Sequence, residues 1–196
     1  MIVYSKNLDE IWREEITVSN SNEIWKGTFV FIDKIPKIAE LKVRLTGPKS
    51  RAEIWVIFLG RREEEISMDI RLIHDAPETH GRVTAKAALF DQSKFLFRGT
   101  LEITSLGKGS DSYLSAHGLM VSPQARAEIY PYLEIKTDEV RASHGSSVGQ
   151  IDRGHLFYLQ SRGVDRKNAQ IFFLSSFFKD AAERLPNIYR EKFFQI

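Results

Sequence analysis

The chain has 196 residues, 42% of them apolar and 28% charged, which suits one domain, or one domain with a small appendage, and excludes a chain disordered by composition. Lys plus Arg number 28 against 26 for Asp plus Glu, so the formal net charge of +2 carries no basic footprint of the kind that tracks phosphates, and no nucleic-acid partner is expected. There is no cysteine, which excludes disulfides, thiolate zinc sites, a cysteine nucleophile and an iron–sulfur cluster held by thiolates of this chain.

The N-terminal stretch Met1 to Glu10 has no signal-peptide pattern. No apolar run approaches the ~20 residues of a membrane span. A cytoplasmic protein without a membrane span is the expectation. From about residue 11 to 150 the chain offers short segments rich in β-branched and aromatic residues: Gly27–Ile32, Leu41–Leu45, Glu53–Leu59, Ile66–Ile73, Arg82–Leu89, Lys94–Ile103, Ser112–Val121, Arg126–Ile135 and Glu139–Ser143. In Leu41-Lys42-Val43-Arg44-Leu45 and Ile66-Ser67-Met68-Asp69-Ile70-Arg71-Leu72 the apolar residues fall at every second position, as in a strand buried on one face. Gly, Pro, Asp, Asn and Ser fill the breaks. An all-β body over residues 1–150 is predicted.

Sandwich, barrel and β-helix all fit that pattern. Asn-Gly and Asp-Gly hairpin dipeptides are absent, which disfavours tight hairpins. Gly81, Gly99 and Gly118 recur at spacings of eighteen and nineteen, a period that suits stacked rungs of a solenoid. In that arrangement Val43, Leu45, Ile57, Ile70, Leu72, Leu101, Ile103, Leu133 and Ile135 point inward.

After Gln150 the pattern becomes helical, over residues 151–196. Asp152 can cap a helix from Arg153 to Arg162 that stops at Gly163. Asp165 can cap another from Arg166 to Leu185, ahead of Pro186, with Ile171, Leu174, Phe178, Ala181 and Leu185 at helical spacing. A last apolar segment runs from Asn187 to Ile196. Nine of the 22 aromatic residues lie in the final 43: either the helices pack them on the β body, or, being too short to hide them all on one another, they turn part of them to a partner.

Few residues carry recognisable chemistry. None of His74, His80, His117, His144 and His155 forms a helical metal-binding pair; His74 and His80 flank Asp75 and Glu78 as in a hard metal site, but Pro77 and the turn composition favour a solvated loop. Arg61-Arg62-Glu63-Glu64-Glu65 reads as a solvated turn. Gly107-Lys108-Gly109-Ser110 lacks the spacing and the following helix of a phosphate loop. Ser143 and His144 are neighbours on a strand, point to opposite faces and cannot act together as nucleophile and base.

The stretch Leu133 to Asp152, with Arg141-Ala142-Ser143-His144-Gly145-Ser146-Ser147-Val148-Gly149-Gln150-Ile151-Asp152 at its centre, resembles the signature of the SufB/SufD family, which assembles iron–sulfur clusters. The resemblance continues through Leu156-Phe157-Tyr158-Leu159-Gln160-Ser161-Arg162-Gly163-Val164 and Ala169, and upstream through Phe97-Arg98-Gly99 and Leu119-Met120-Val121-Ser122. It is dense over about residues 80 to 180. It implies a right-handed parallel β-helix followed by a small C-terminal helical domain. It also implies pairing with a SufB-like or identical subunit through the β-helix, and docking of a SufC-like ABC ATPase on the C-terminal helices. The helix residues that match, Phe157, Tyr158 and Arg162, with Phe173 and Phe177 beyond them, become the candidate ATPase contacts.

Two departures qualify that picture. Where SufD-type members usually carry cysteine before Ser-His-Gly, this chain has Ala142, and the cysteine with which SufB-type members hold a nascent cluster is missing. The SufD branch is the closer match. The resemblance makes His144 a candidate interface iron ligand beside a partner's thiolate, with Glu134 and Ser143 as neighbours that would orient it. No cluster is expected to bind stably to the chain alone. A nascent iron–sulfur cluster is expected in the assembled complex, and catalysis in the ATPase rather than here. The competing readings are a β-helix enzyme acting on carbohydrate, for which Asp69, Asp91, Asp111 and Glu128 are the candidate acids, and a plain interaction domain.

Overall fold

A computed structural model describes residues 10–32 and 35–185. Ten strands come first: β1 (Ile11–Val18), β2 (Ile24–Phe31), β3 (Ile38–Leu45), β4 (Arg51–Gly60), β5 (Glu65–His74), β6 (His80–Leu89), β7 (Lys94–Ile103), β8 (Asp111–Met120), β9 (Arg126–Ile135) and β10 (Arg141–Gln150). Three helices follow: α1 (Arg153–Ser161), α2 (Arg166–Phe177) and α3 (Lys179–Ala182). The segment Asn187 to Ile196 lies outside the described residues.

Odd and even strands separate into two five-stranded sheets, β1-β3-β5-β7-β9 and β2-β4-β6-β8-β10. Every pairing is parallel. Each pair of consecutive strands is therefore one turn of a β-solenoid, and the described residues make five. The period differs from the eighteen or nineteen residues expected from the glycines. Ile24 pairs with Arg51 and Lys94 with Arg126, so one turn takes 27 to 32 residues. A turn needs two strands and two corners, whereas Gly81, Gly99 and Gly118 lie on successive strands of alternating sheets. β1 escaped the strand reading because Arg13, Glu14 and Glu15 interrupt its apolar alternation.

The missing hairpin signals are explained by the corners, which join one sheet to the other. At one corner Asn22, Lys49, Glu78 and Gly109 all take positive φ, between 56° and 76°. In Gly47-Pro48-Lys49-Ser50 the Ser50 N–H donates to the Gly47 carbonyl at 3.1 Å, a type II geometry with proline second and the left-handed residue third. Each left-handed residue also donates to the next turn: Asn22 to Pro48 at 3.0 Å, Lys49 to Pro77 at 3.0 Å, Glu78 to Lys108 at 2.8 Å. The corners thus form a hydrogen-bonded ladder of their own.

Between the sheets runs one apolar core. Val43, Leu45, Ile70, Leu72 and Leu101 point into it as expected, and Ile103 is fully buried. Side-chain sizes compensate across it. Along the even sheet Phe58 gives way to Ala87 in the same column, and Phe95 and Phe97 of the odd sheet fill the space, with Phe95 stacked on Phe58 at 5.6 Å and on Phe97 at 5.8 Å. Gly99 is required there: a Cβ would come within 2.4 Å of Leu114 Cδ1.

Ile57 is buried on the opposite face from the one expected. With Val30, Trp55, Leu59 and Ala88 it forms a second cluster outside the even sheet, covered by Leu174, Phe178, Ala181 and Leu185. Long apolar runs such as Ile54 to Leu59 are buried on both faces, so alternation cannot assign them. Arg184 clamps this contact, 4.5 Å over the Trp55 ring and 2.6 Å from the Glu53 carboxylate. Asp152 and Asp165 cap α1 and α2 by accepting from His155 N at 2.8 Å and Asn168 N at 2.9 Å. The single helix expected to reach Leu185 breaks at Phe178. Just before it, Ser175 and Ser176 donate back to the Ile171 and Phe172 carbonyls, which bends helices, and Phe178 drops into the cluster.

Candidate functional site

The two ends of the solenoid are finished differently. At the first turn Trp12 lies 5.3 Å from Phe29 and 5.9 Å from Phe31, and Trp25 lies 6.5 Å from Phe29, so aromatic rings fill the interior. At the last turn the interior is uncovered. Leu101 and Ile103 are fully buried, yet their partners one turn on, Leu133 and Ile135, are 36% and 43% exposed. Both point inward, as expected, but among the described residues no sixth turn covers them. Val148, the partner of Gly118, is also 43% exposed. Among the described residues β9 pairs only with β7 and β10 only with β8, so each presents one edge without a strand partner.

His144 stands in this opening. Its register partner is Leu114, and Ile54, Val83 and Leu114 precede it along one column of the even sheet. It therefore occupies a core-facing position at the last turn, where the core meets solvent, and the residue is exposed. Among the described residues none hydrogen-bonds or ion-pairs with its ring. The two neighbours expected to orient it are not brought to it. Glu134 faces outward from the odd sheet and pairs with Arg71 at 2.8 Å, and Ser143 points out of the even sheet beside it.

His74 is not in a solvated loop. It ends β5, is fully buried, and sits between hydroxyls: Nδ1 is 2.7 Å from Thr79 Oγ1 and Nε2 is 2.9 Å from Ser112 Oγ. Gly81 leaves the room, since a Cβ would meet Nε2 at 2.7 Å. Burial, then the nearby His80 and Arg82, push the His74 imidazole down to about 4. Among the described residues no three His, Asp or Glu side chains converge to hold a metal ion.

The candidate ATPase contacts divide. Phe157 and Tyr158 on α1 are 73% and 57% exposed, and Arg162 lies 5.5 Å over the Tyr158 ring. Phe173 is half-buried between the helices, 6.3 Å from the His155 ring, and Phe177 lies against Lys86 of β6. Phe172 of α2 is 58% exposed as well. No described helix is long and apolar enough to cross a membrane.

The candidate acids of a carbohydrate enzyme do not converge. Asp69 and Glu128 face out of the odd sheet, where Glu128 accepts from the Tyr130 hydroxyl at 2.9 Å. Asp91 sits in a corner and accepts from Arg62 N at 2.8 Å. Asp111 faces out of the even sheet, bound to Arg82 at 2.5 Å and Arg141 at 3.1 Å.

Residues 20–177 match the model of the SUF system FeS cluster assembly, SufBD core domain. The chain is similar to the chloroplastic iron–sulfur cluster assembly SufBD family protein ABCI8 of Arabidopsis thaliana, at 26% identity over 145 residues, covering 74% of this chain and 26% of that protein. It is similar to the iron–sulfur cluster assembly protein SufD of Bacillus subtilis, at 27% over 149 residues, covering 76% of this chain and 34% of the relative. Chloroplastic ABCI7 of Arabidopsis thaliana is 27% identical over 146 residues, 74% of this chain and 31% of that protein. The chain thus spans between 26% and 34% of the length of these relatives.

Proposed function

Because the chain belongs to the SufB/SufD family of iron–sulfur cluster assembly proteins, we propose that it is a SufD-like scaffold subunit of a SUF-type assembly, without catalysis of its own. The observation that carries this reading is the uncovered last turn: two unpaired strand edges, the exposed apolar trio Leu133, Ile135 and Val148, and His144 beside them. A second solenoid of the same kind completes such an end, by pairing its backbone edges and covering its apolar side chains.

His144 then lies at the junction of two subunits. Imidazole ligates iron, and a thiolate from a cysteine-bearing partner would complete mixed ligation of the nascent cluster, the cargo of the assembly. With no cysteine of its own, the chain is a half-site at most. The lack of the cysteine with which SufB-type members hold a nascent cluster favours the SufD-like branch, although Ala142 departs from the usual pattern of both. Phe157, Tyr158 and Arg162 on α1, joined by Phe172, form the surface to which a SufC-like ABC ATPase docks, aromatic anchors with an arginine at the rim. Phe173 backs that surface, its ring 5.8 Å from Phe172, while Phe177 packs against Lys86 of β6. A chain free of cysteine fits a reducing compartment such as the cytoplasm.

Affinity purification of the full chain from its native cells tests this. The expected co-purifying proteins are an ATPase with a phosphate loop and a cysteine-bearing solenoid subunit. Recovery of the folded chain without either would contradict the reading.

A further inference from the structure

β10 is the strand that carries His144, and little holds it. None of its ten residues is buried, it has glycines at 145 and 149, and among the described residues its only strand partner is β8. An edge strand of this composition has no core packing to fix it and loses more chain entropy than most on ordering. Two outward side chains tie it down, each three residues from His144. Arg141 Nε lies 3.1 Å from Asp111 Oδ2, but the Arg141 side chain is 84% exposed, and an ion pair so open to water contributes little. Ser147 Oγ lies 2.7 Å from His117 Nδ1, and His117 Nε2 lies 2.8 Å from Ser115 Oγ.

The second tie is the better built. Burial, with the Lys86 charge beside it, holds the His117 imidazole below its ordinary value, so at neutral pH it is uncharged. A neutral imidazole has one donor and one acceptor nitrogen, and here each meets one serine hydroxyl. Lys86, the register partner of His117 on β6, is fixed in turn by the Phe177 carbonyl at 2.7 Å and Asp180 at 2.5 Å. On the same face, Tyr113 lies across Gly145, where a Cβ would meet its hydroxyl at 2.7 Å.

We propose that His117 is a positioning residue: by bridging Ser115 and Ser147 it holds β10 in register and so sets the placement of the His144 ring at the open end. The inference rests on the reading of His144 given above. Neither of its readouts involves iron, so its failure and the failure of that reading are separate results.

The test uses the full chain and three forms: wild type, His117→Ala and His117→Asn. Asn keeps a donor and an acceptor near the Nδ1 position. Amide hydrogen exchange is followed in β10 and, as an internal reference, in β4 and β6. Loss of one net hydrogen bond predicts exchange about tenfold faster at residues 143–148 in His117→Ala, unchanged rates in β4 and β6, and recovery in His117→Asn. The His144 ring signals of carbon-13-labelled protein should move toward those of a free histidine in His117→Ala and return in His117→Asn. Unchanged β10 exchange and His144 signals in His117→Ala would overturn the proposal, and so would acceleration spread equally over β4 and β6.

Discussion

Protonation of His74 sets one limit on the stability of this chain. In the folded state its ring is buried between Thr79 and Ser112 and pushed down to about 4, against 6.5 in an unfolded chain. The unfolded chain therefore binds the extra proton first. The neutral ring's contribution is intact above about pH 6.5 and is lost as the pH falls from there toward 4, up to about 3 kcal/mol in total. Urea unfolding at pH 7.5 and pH 5 should differ by about 2 kcal/mol more in wild type than in His74→Gln. Equal pH dependence in both would show that His74 does not carry the effect. The sequence alone pointed the other way, since Pro77 and the acids around His74 have turn composition. Of the hydroxyls that make the site habitable, Thr79 lies in the same corner as His74, but Ser110 and Ser112 belong to the next turn, and only the stacking of turns brings them in. Val43, Leu45 and Leu72 were legible because one-sided burial writes itself as alternation. Ile57 was not, because its strand is covered on both faces.

Individual elements divide into those complete within the chain and those that are not. α2 and α3 are complete: Leu174, Phe178, Ala181 and Leu185 cover the outer face of the even sheet. Removing everything after Gln150 would expose that face, so truncation is a poor probe of docking. Phe178→Ala should destabilise the fold by about 3–5 kcal/mol, read from denaturant midpoints. α1 has no buried residue, and Phe157→Ala with Tyr158→Ala should leave the unfolding midpoint nearly unchanged while weakening ATPase binding at least tenfold in titration calorimetry. Intact binding in that variant would remove α1 from the interface. β9 is the other incomplete element. Leu133→Lys with Ile135→Lys should keep the chain folded, since both side chains already meet water, but abolish subunit pairing in analytical ultracentrifugation; pairing that survives both lysines would place the interface elsewhere. The elements themselves were mostly legible from strand and cap signals. Their period was not, because glycine spacing reports single strands and a turn of the solenoid contains two.

At the scale of the molecule, the chain is a solenoid with one end filled by tryptophans, one sheet face covered by helices and the other end open. The open end was legible only in part. The Ser-His-Gly segment marked His144, but its core-facing position follows from the register with Leu114, which no local pattern contains. Glu134 seemed near in sequence and lies on the opposite face. In the proposed assembly this end is half of a cluster-assembly site. Anaerobic cluster reconstitution on the complex of this chain with its ATPase and a cysteine-bearing partner, comparing wild type with His144→Ala, tests that role. Cluster absorbance is expected on the wild-type complex, none on the chain alone, and a loss of at least tenfold in His144→Ala while subunit pairing and ATPase binding stay intact. Equal cluster yield in the two complexes would contradict it.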